Sequence, residues 1–200
     1  MCYNTVAEHL RKLLQENVGR KRLRHVEGAL HCAQEICAAH RLDFQPVRIA
    51  VLAHDLFRHH PQEWLLQQAK AYAYQPNEVE RQNPKLLHGP IAALFLESRF
   101  GNMPHLQEIC EAVRYHTSGW DFTSYVGKVL FVADGIEMGR EYPEVERLRE
   151  LARVDLDHCF LETVKQQIHF ATRKHYFLLP GSVYAWNGAL RVWMQKEEKK

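Results

Sequence analysis

Two hundred residues, 46% of them hydrophobic, are enough for one sizeable core, and with no Pro/Gly/Ser-rich linker a single domain over residues 1–200 is expected. A formal net charge of +2 gives no electrostatic reason for a nucleic-acid polymer or a membrane as partner, and no apolar run approaches a membrane span. The five cysteines (Cys2, Cys32, Cys37, Cys110, Cys159) are scattered without a C-x-x-C pair and the N-terminus lacks an apolar leader core, so reduced thiols and a cytoplasmic location are expected.

Helical periodicity runs through nearly the whole chain. Residues 5–15 predict a short amphipathic helix, and 22–40 a second with His25, Ala29, Cys32 and Ile36 on one core-facing stripe. Pro46 to Phe57 starts with proline in its first turn and is apolar on almost every side, which predicts a central buried helix carrying His54 and Asp55 in its last turns. Between Trp64 and Asn83 the pattern weakens to a shorter helix and a polar loop. A helix over 86–99, capped by Gly101, has His88 near its start; one over 104–116 aligns Ile109, Val113 and His116 and stops at Thr117-Ser118-Gly119. Residues 124–139 read as a strongly apolar helix with Asp134 and Glu137 on the side of Leu130, where a charge needs a partner. Helices over 144–176, broken near Val154-Asp155, and over 183–196 complete an all-α chain.

A carboxylate beside an imidazole in an apolar run, as in RIAVLAHDLFRHH, is costly to bury unless both are occupied, and a metal ion occupies both. His25, His54, Asp55, His88, His116 and Asp134 form a nitrogen and oxygen donor set without cysteine, suited to divalent iron, manganese or magnesium rather than to a structural zinc. Any one histidine on an apolar face is more often a satisfied core residue than a ligand, and His31, His40, His59, His60, His105, His158, His169 and His175 read as surface groups. The weight lies in the joint pattern.

The segments RLRHVEG, LAHDLFR, LLHGPIAA, YHTSG, FVADGIEMGR, RLRELARVDLD and LLPGSVYAWN, spread over residues 20–190, resemble the HD superfamily of metal-dependent phosphohydrolases. Within it they resemble the YqeK family of bacterial symmetrical diadenosine tetraphosphate hydrolases. The resemblance implies an HD-type helical bundle with a central divalent metal, iron in the first place and manganese as substitute, held by His25, His54, Asp55 and Asp134. It implies a nucleotide substrate, and a homodimer is an open expectation. His88 and His116 are expected in the first place to contact phosphate, with a second metal site as the alternative, and Asp55 to orient the attacking water while His88 or His116 stabilises charge or acts as general acid. Arg22, Arg58, Arg140 and Thr117 are candidate phosphate contacts, and a loop from Pro180 to Tyr184, with Gly181 and Ser182, is expected to close over the nucleotide. Arg58 stands where family members commonly carry lysine, and the late tyrosine and asparagine stand apart as Tyr184 and Asn187. The alternatives are an HD-type nucleotidase acting on mononucleotides and a non-catalytic nucleotide-binding module.

Overall fold

The computed structural model describes residues 2–199, and among them the chain is helical with no strand. Helix α1 (Tyr3–Asn17) and α2 (Arg20–His40) lead to α3 (Phe44–Ala53), α4 (Gln62–Ala71) and α5 (Glu78–Gln82). A 3-10 turn over Pro84–Leu87 runs into α6 (His88–Arg99), followed by α7 (Leu106–Tyr115) and α8 (Tyr125–Ile136). Helices α9 (Val145–Val154), α10 (Leu156–Arg173) and α11 (Pro180–Glu197) close the chain.

Two helices with almost no polar face form the centre. Val47, Ile49, Ala50, Val51, Leu52 and Ala53 of α3 are fully buried, as are Val126, Val129, Leu130, Val132 and Ala133 of α8. A helix apolar all round must be covered on every side. Accordingly α3 packs against α1, α2, α7 and α8, while α8 packs against α2, α7, α9 and α10. Each buried Val, Leu or Ile contributes about 1.5–3 kcal/mol of transfer free energy, so this pair anchors the fold. Polar residues set the ends. Asp43 accepts from Gln45 N at 2.9 Å ahead of α3, and Ser124 accepts from Val126 N at 3.2 Å ahead of α8. The expected break at Val154-Asp155 is real: Asp155 turns extended after α9 and accepts from His158 N to start α10.

Three segments near the His/Asp residues or in the weakly patterned stretch differ from the sequence expectation, and elsewhere helix ends shift by one to three residues. The central helix runs Phe44–Ala53, two residues earlier at its start and four at its end, so His54 and Asp55 lie just beyond its last turn. The stretch 62–82 holds two helices, the second nucleated by a capping box between Asn77 and Glu80. Helix α8 ends at Ile136, which leaves Glu137 as an extended C-cap.

The chain leaving α8 is held from α9 by one arginine. Arg149 donates from Nε to the Ile136 carbonyl at 2.7 Å and from Nη2 to the carbonyls of Glu137 at 2.8 Å and Arg140 at 3.1 Å. The Ile136 carbonyl is one the helix terminus leaves without an intrahelical partner, and the Glu137 carbonyl accepts from Arg140 N at 2.8 Å as well. Replacing Arg149 by Met keeps the aliphatic stem and removes the donors, and is expected to lower unfolding free energy by about 2–3 kcal/mol in urea titrations. A loss below about 0.5 kcal/mol would mean that water replaces the guanidinium.

Candidate metal centre

Three of the histidines stand at helix ends. His54 follows α3, His88 follows the 3-10 turn and opens α6, and His116 follows α7. Each turns Nδ1 back to the carbonyl three residues earlier: His54 to Val51 at 2.7 Å, His88 to Lys85 at 2.6 Å, His116 to Val113 at 2.8 Å. A carbonyl only accepts, so each Nδ1 carries the proton. His25, near the start of α2, reaches the same state through a carboxylate, with Nδ1 3.1 Å from Oε1 of Glu137.

With every Nδ1 committed, the Nε2 lone pairs are left to face inward, and they converge. Nε2 of His88 and Nε2 of His116 are 3.0 Å apart, and lone pairs at that separation repel unless a cation is shared between them. Nε2 of His25 and of His54 are buried without a hydrogen-bond partner, although they lie 3.0 Å from Asp134 Oδ1 and 3.3 Å from Asp55 Oδ2. Leaving such nitrogens unpaired costs about 1–3 kcal/mol each, which a bound cation removes. Asp55 divides the cluster. Its Oδ2 lies 3.6 Å from His25 and 3.3 Å from His54, and its Oδ1 lies 3.4 Å from His88 and 4.0 Å from His116. The sets His25/His54/Asp55 and Asp55/His88/His116 therefore each bring ligand atoms within 4.8 Å of one another. Nitrogen and oxygen donors of this kind fit a divalent metal, with Asp134 beside the first set.

The electrostatics agree. Burial alone would raise the Asp55 carboxyl, but the His54 and His88 imidazoles outweigh it and hold it well below the usual carboxylate range. Asp134 is likewise held low, with His25, His54 and Arg140 overcoming burial. Asp55 draws His54 upward against burial. His88 is pushed down by burial despite Asp55, and His116 is pushed down to about 3 by burial, then by His88 and His54. At neutral pH His88 and His116 are therefore uncharged donors of lone pairs.

The candidate phosphate contacts border this cluster. Arg22 donates to Asp55 Oδ2 at 2.6 Å, and Arg140 donates to the side chain of Asp134 at 2.7 Å and to its carbonyl at 2.9 Å. Both guanidiniums reach the surface, with 25% and 40% of the side chain exposed. Arg58 brings Nη1 to 3.3 Å from both ring nitrogens of His88. The Thr117 hydroxyl lies 3.2 Å from His116 Nε2.

The C-terminal expectation needs correction. Pro180 to Tyr184 is the first turn of α11, with Pro180 at its first position, and no loop closes there. Gly181 and Ser182 are buried, and a Cβ on Gly181 would strike Ser118 and the Gly119 carbonyl. The close approach that needs this glycine is to the turn after His116, not to a nucleotide. Tyr184 is exposed and Asn187 is exposed one turn later.

Glu137 is the residue the sequence reading left without a role. It is buried, accepts from Gly139 N at 2.6 Å through Oε2, and holds His25 through Oε1. Two glycines make room for it: a Cβ on Gly28 would lie 2.6 Å from Oε2, and one on Gly139 3.0 Å from either oxygen. Its signal in the sequence was a carboxylate on the buried side of a helix. The partner, 112 residues away, was not visible there.

Comparison with known proteins matches residues 22–161 to the HD domain family. Curated relatives named symmetrical bis(5'-nucleosyl)-tetraphosphatase include one from Bacillus subtilis, 29% identical over 87% of this chain and 92% of the relative. One from Staphylococcus aureus is 27% identical over 84% and 86% respectively. A crystal structure described as a predicted HD superfamily hydrolase involved in NAD metabolism, from Clostridium acetobutylicum, superposes with TM-score 0.83 at 27% identity, covering 96% of this chain and 98% of that one.

Removing the carboxylate behind His25 frees the ring to rotate and change tautomer. Glu137→Ala is expected to weaken Mn(II) binding about 10–100-fold in calorimetric titration, with Glu137→Gln weakened less because its amide oxygen still accepts from Nδ1. Wild-type affinity in the alanine variant would show that His25 is fixed by other contacts. A second expectation concerns acid. In the metal-free protein the unfolded chain protonates His116 near 6.5 and the folded chain only near 3, so the unfolded state binds more protons between these values. Stability from this group is complete above the unfolded value and falls as pH falls through that window. The midpoint of thermal unfolding should drop more steeply between pH 7 and 4 in wild type than in His116→Gln; parallel slopes would contradict it.

Proposed function

The chain belongs to the HD-domain family, and from that membership together with its metal centre we propose that it hydrolyses diadenosine tetraphosphate symmetrically into two molecules of ADP. The curated relatives carry the same named activity over most of this chain's length. The observation that carries the reading is the convergence of imidazole Nε2 atoms on Asp55, with arginines at the rim.

His25, His54, Asp55 and Asp134 would hold one divalent ion, and Asp55, His88 and His116 a second. We assign iron(II), with manganese(II) as substitute, because imidazoles and carboxylates in this ratio suit either. When bound, such ions supply Lewis acidity toward a phosphoryl oxygen and lower the pKa of water. His88 and His116 hold a cation rather than donate to phosphate, since their Nδ1 protons are committed and only lone pairs remain at Nε2. They do not act as general acids near neutrality, and the departing group, itself a phosphate oxygen, needs no proton to leave. Arg22, Arg58 and Arg140 bind the tetraphosphate: guanidinium donates two bonds to one phosphate and stays charged throughout. The Thr117 hydroxyl, 3.2 Å from His116 Nε2, stands at the edge of the second ion's place, where it can donate to a phosphate oxygen. In the net reaction one water is added, the bond between the central bridging oxygen and an inner phosphorus breaks, and either inner phosphorus gives the same two products.

The test is product analysis of diadenosine tetraphosphate with anaerobically purified protein, with and without iron(II) or manganese(II). ADP alone, formed only with metal, is expected. Asp134→Ala should lose metal and turnover together, while Arg140→Ala keeps the metal and raises KM by about tenfold, consistent with loss of a charge-assisted bond. AMP plus ATP, or turnover of mononucleotides only, would overturn the substrate assignment.

A further inference from the structure

Beyond the metal centre the turn after His116 carries an aromatic stack that nothing in the chemistry above uses. The rings of Tyr115 and Trp120 lie face to face, centroids 4.4 Å apart at 13°, and Tyr184 leans on Trp120 at 4.7 Å and 53°. Tyr184 is 54% exposed although it is one of the larger apolar rings of the chain. We infer that this stack seats one nucleobase of the substrate, on the open side of Tyr184, a reading that rests on the dinucleotide assignment.

Position comes first. Thr117 touches His116 Nε2, and Trp120 follows three residues later. Three residues span at most about 10 Å even when extended, and here Ser118 N and Gly119 N both bond back to the Tyr115 carbonyl, which folds the turn. The stack thus starts beside the cluster: Tyr115 immediately precedes His116, and Trp120 lies 4.4 Å from the Tyr115 ring. Rigidity comes second. Gly119 takes φ 71°, and a Cβ there would lie 2.8 Å from Ala185 Cβ. Gly181 and Gly188 of α11 close on Ser118 and Asp121, Arg191 pairs with Asp121 at 3.3 Å, and Gln167 of α10 donates to the Thr117 carbonyl. The stack is therefore set before any ligand arrives, which is the condition under which a ring face binds a base at low entropic cost. The platform is contributed from two separate segments of the chain: Tyr115 at the end of α7 and Trp120 in the turn after His116, and Tyr184 from α11.

Calorimetric titration of the manganese-loaded full chain with ADP and with pyrophosphate separates base from phosphate. Wild type is expected to bind ADP more tightly than pyrophosphate. Tyr184→Ala, at an exposed position, should lose about tenfold in ADP affinity and none for pyrophosphate, and Tyr184→Phe should retain both. ADP affinity in Tyr184→Ala equal to wild type, an equal loss for both ligands, or wild-type ADP binding no tighter than pyrophosphate would each overturn the platform. Products from diadenosine tetraphosphate report separately on the substrate: failure to form ADP alongside the expected titrations would sink the dinucleotide reading and leave a nucleotide platform standing.

Discussion

The Nδ1–H of an imidazole bonding to a carbonyl three residues back is the contact on which the site depends. It occurs at His54, His88 and His116, each where a helical segment ends, and at His88 the same Lys85 carbonyl also accepts the backbone N–H. One bond therefore serves two purposes. It completes the helix terminus, and it fixes the tautomer so that Nε2 is a bare lone pair aimed away from the helix. Because α3, the 3-10 turn and α7 end close to one another, the lone pairs meet. His25 sits inside a helix whose own carbonyls are already paired, so it needs Glu137 to do the same, and Gly28 and Gly139 are small because that carboxylate fills their side.

Such a cluster is unstable as neutral protein alone. Lone pairs facing at 3.0 Å and carboxylates in a buried pocket raise the free energy of the fold unless positive charge is brought in. The chain supplies part of it, with Arg22 on Asp55 and Arg140 on Asp134. Those guanidiniums stand on the solvent side of the cluster. Under the proposed function the guanidiniums that neutralise the carboxylates would also receive the phosphates, which would tie substrate entry to the charge balance of the centre.

How much of this was readable from sequence depends on the range of the interaction. The helices were, since apolar periodicity is local, and so was the donor set, since a buried His-Asp dyad and Asp134 within an apolar run each demand an occupant. The helix ends were misplaced by a few residues because α3 stops where His54 turns back to Val51, a side-chain bond that periodicity does not register. Glu137 was seen as a charge in need of a partner and no more, because its partner lies across the fold. Arg149 was invisible for the same reason: it pairs with backbone carbonyls, which leave no trace in residue identity. In the sequence Gly181 reads as a glycine making way for a ligand, whereas in the structure it makes way for Ser118 and Gly119. A glycine signals close approach but not what approaches.

That last correction bears on how the labour is divided. The HD match ends at residue 161, so α11 lies beyond it, yet α11 reaches the site through Gly181, Tyr184 and Ala185 against the turn that carries Thr117 and Trp120. The residues that would hold metal hang from α2, α8 and the ends of α3, the 3-10 turn and α7, a scaffold to which α11 contributes none of them. Movement of α11 would therefore change the shape offered to a nucleoside while leaving the imidazoles where their carbonyls hold them. The imidazoles are fixed by helix termini deep in the bundle, whereas the proposed seat for a nucleobase is set by how the final helix packs on a four-residue turn. Substitutions that alter which nucleotide is accepted belong in that turn and in the first turns of α11, where they do not touch the hydrogen bonds that define the metal centre.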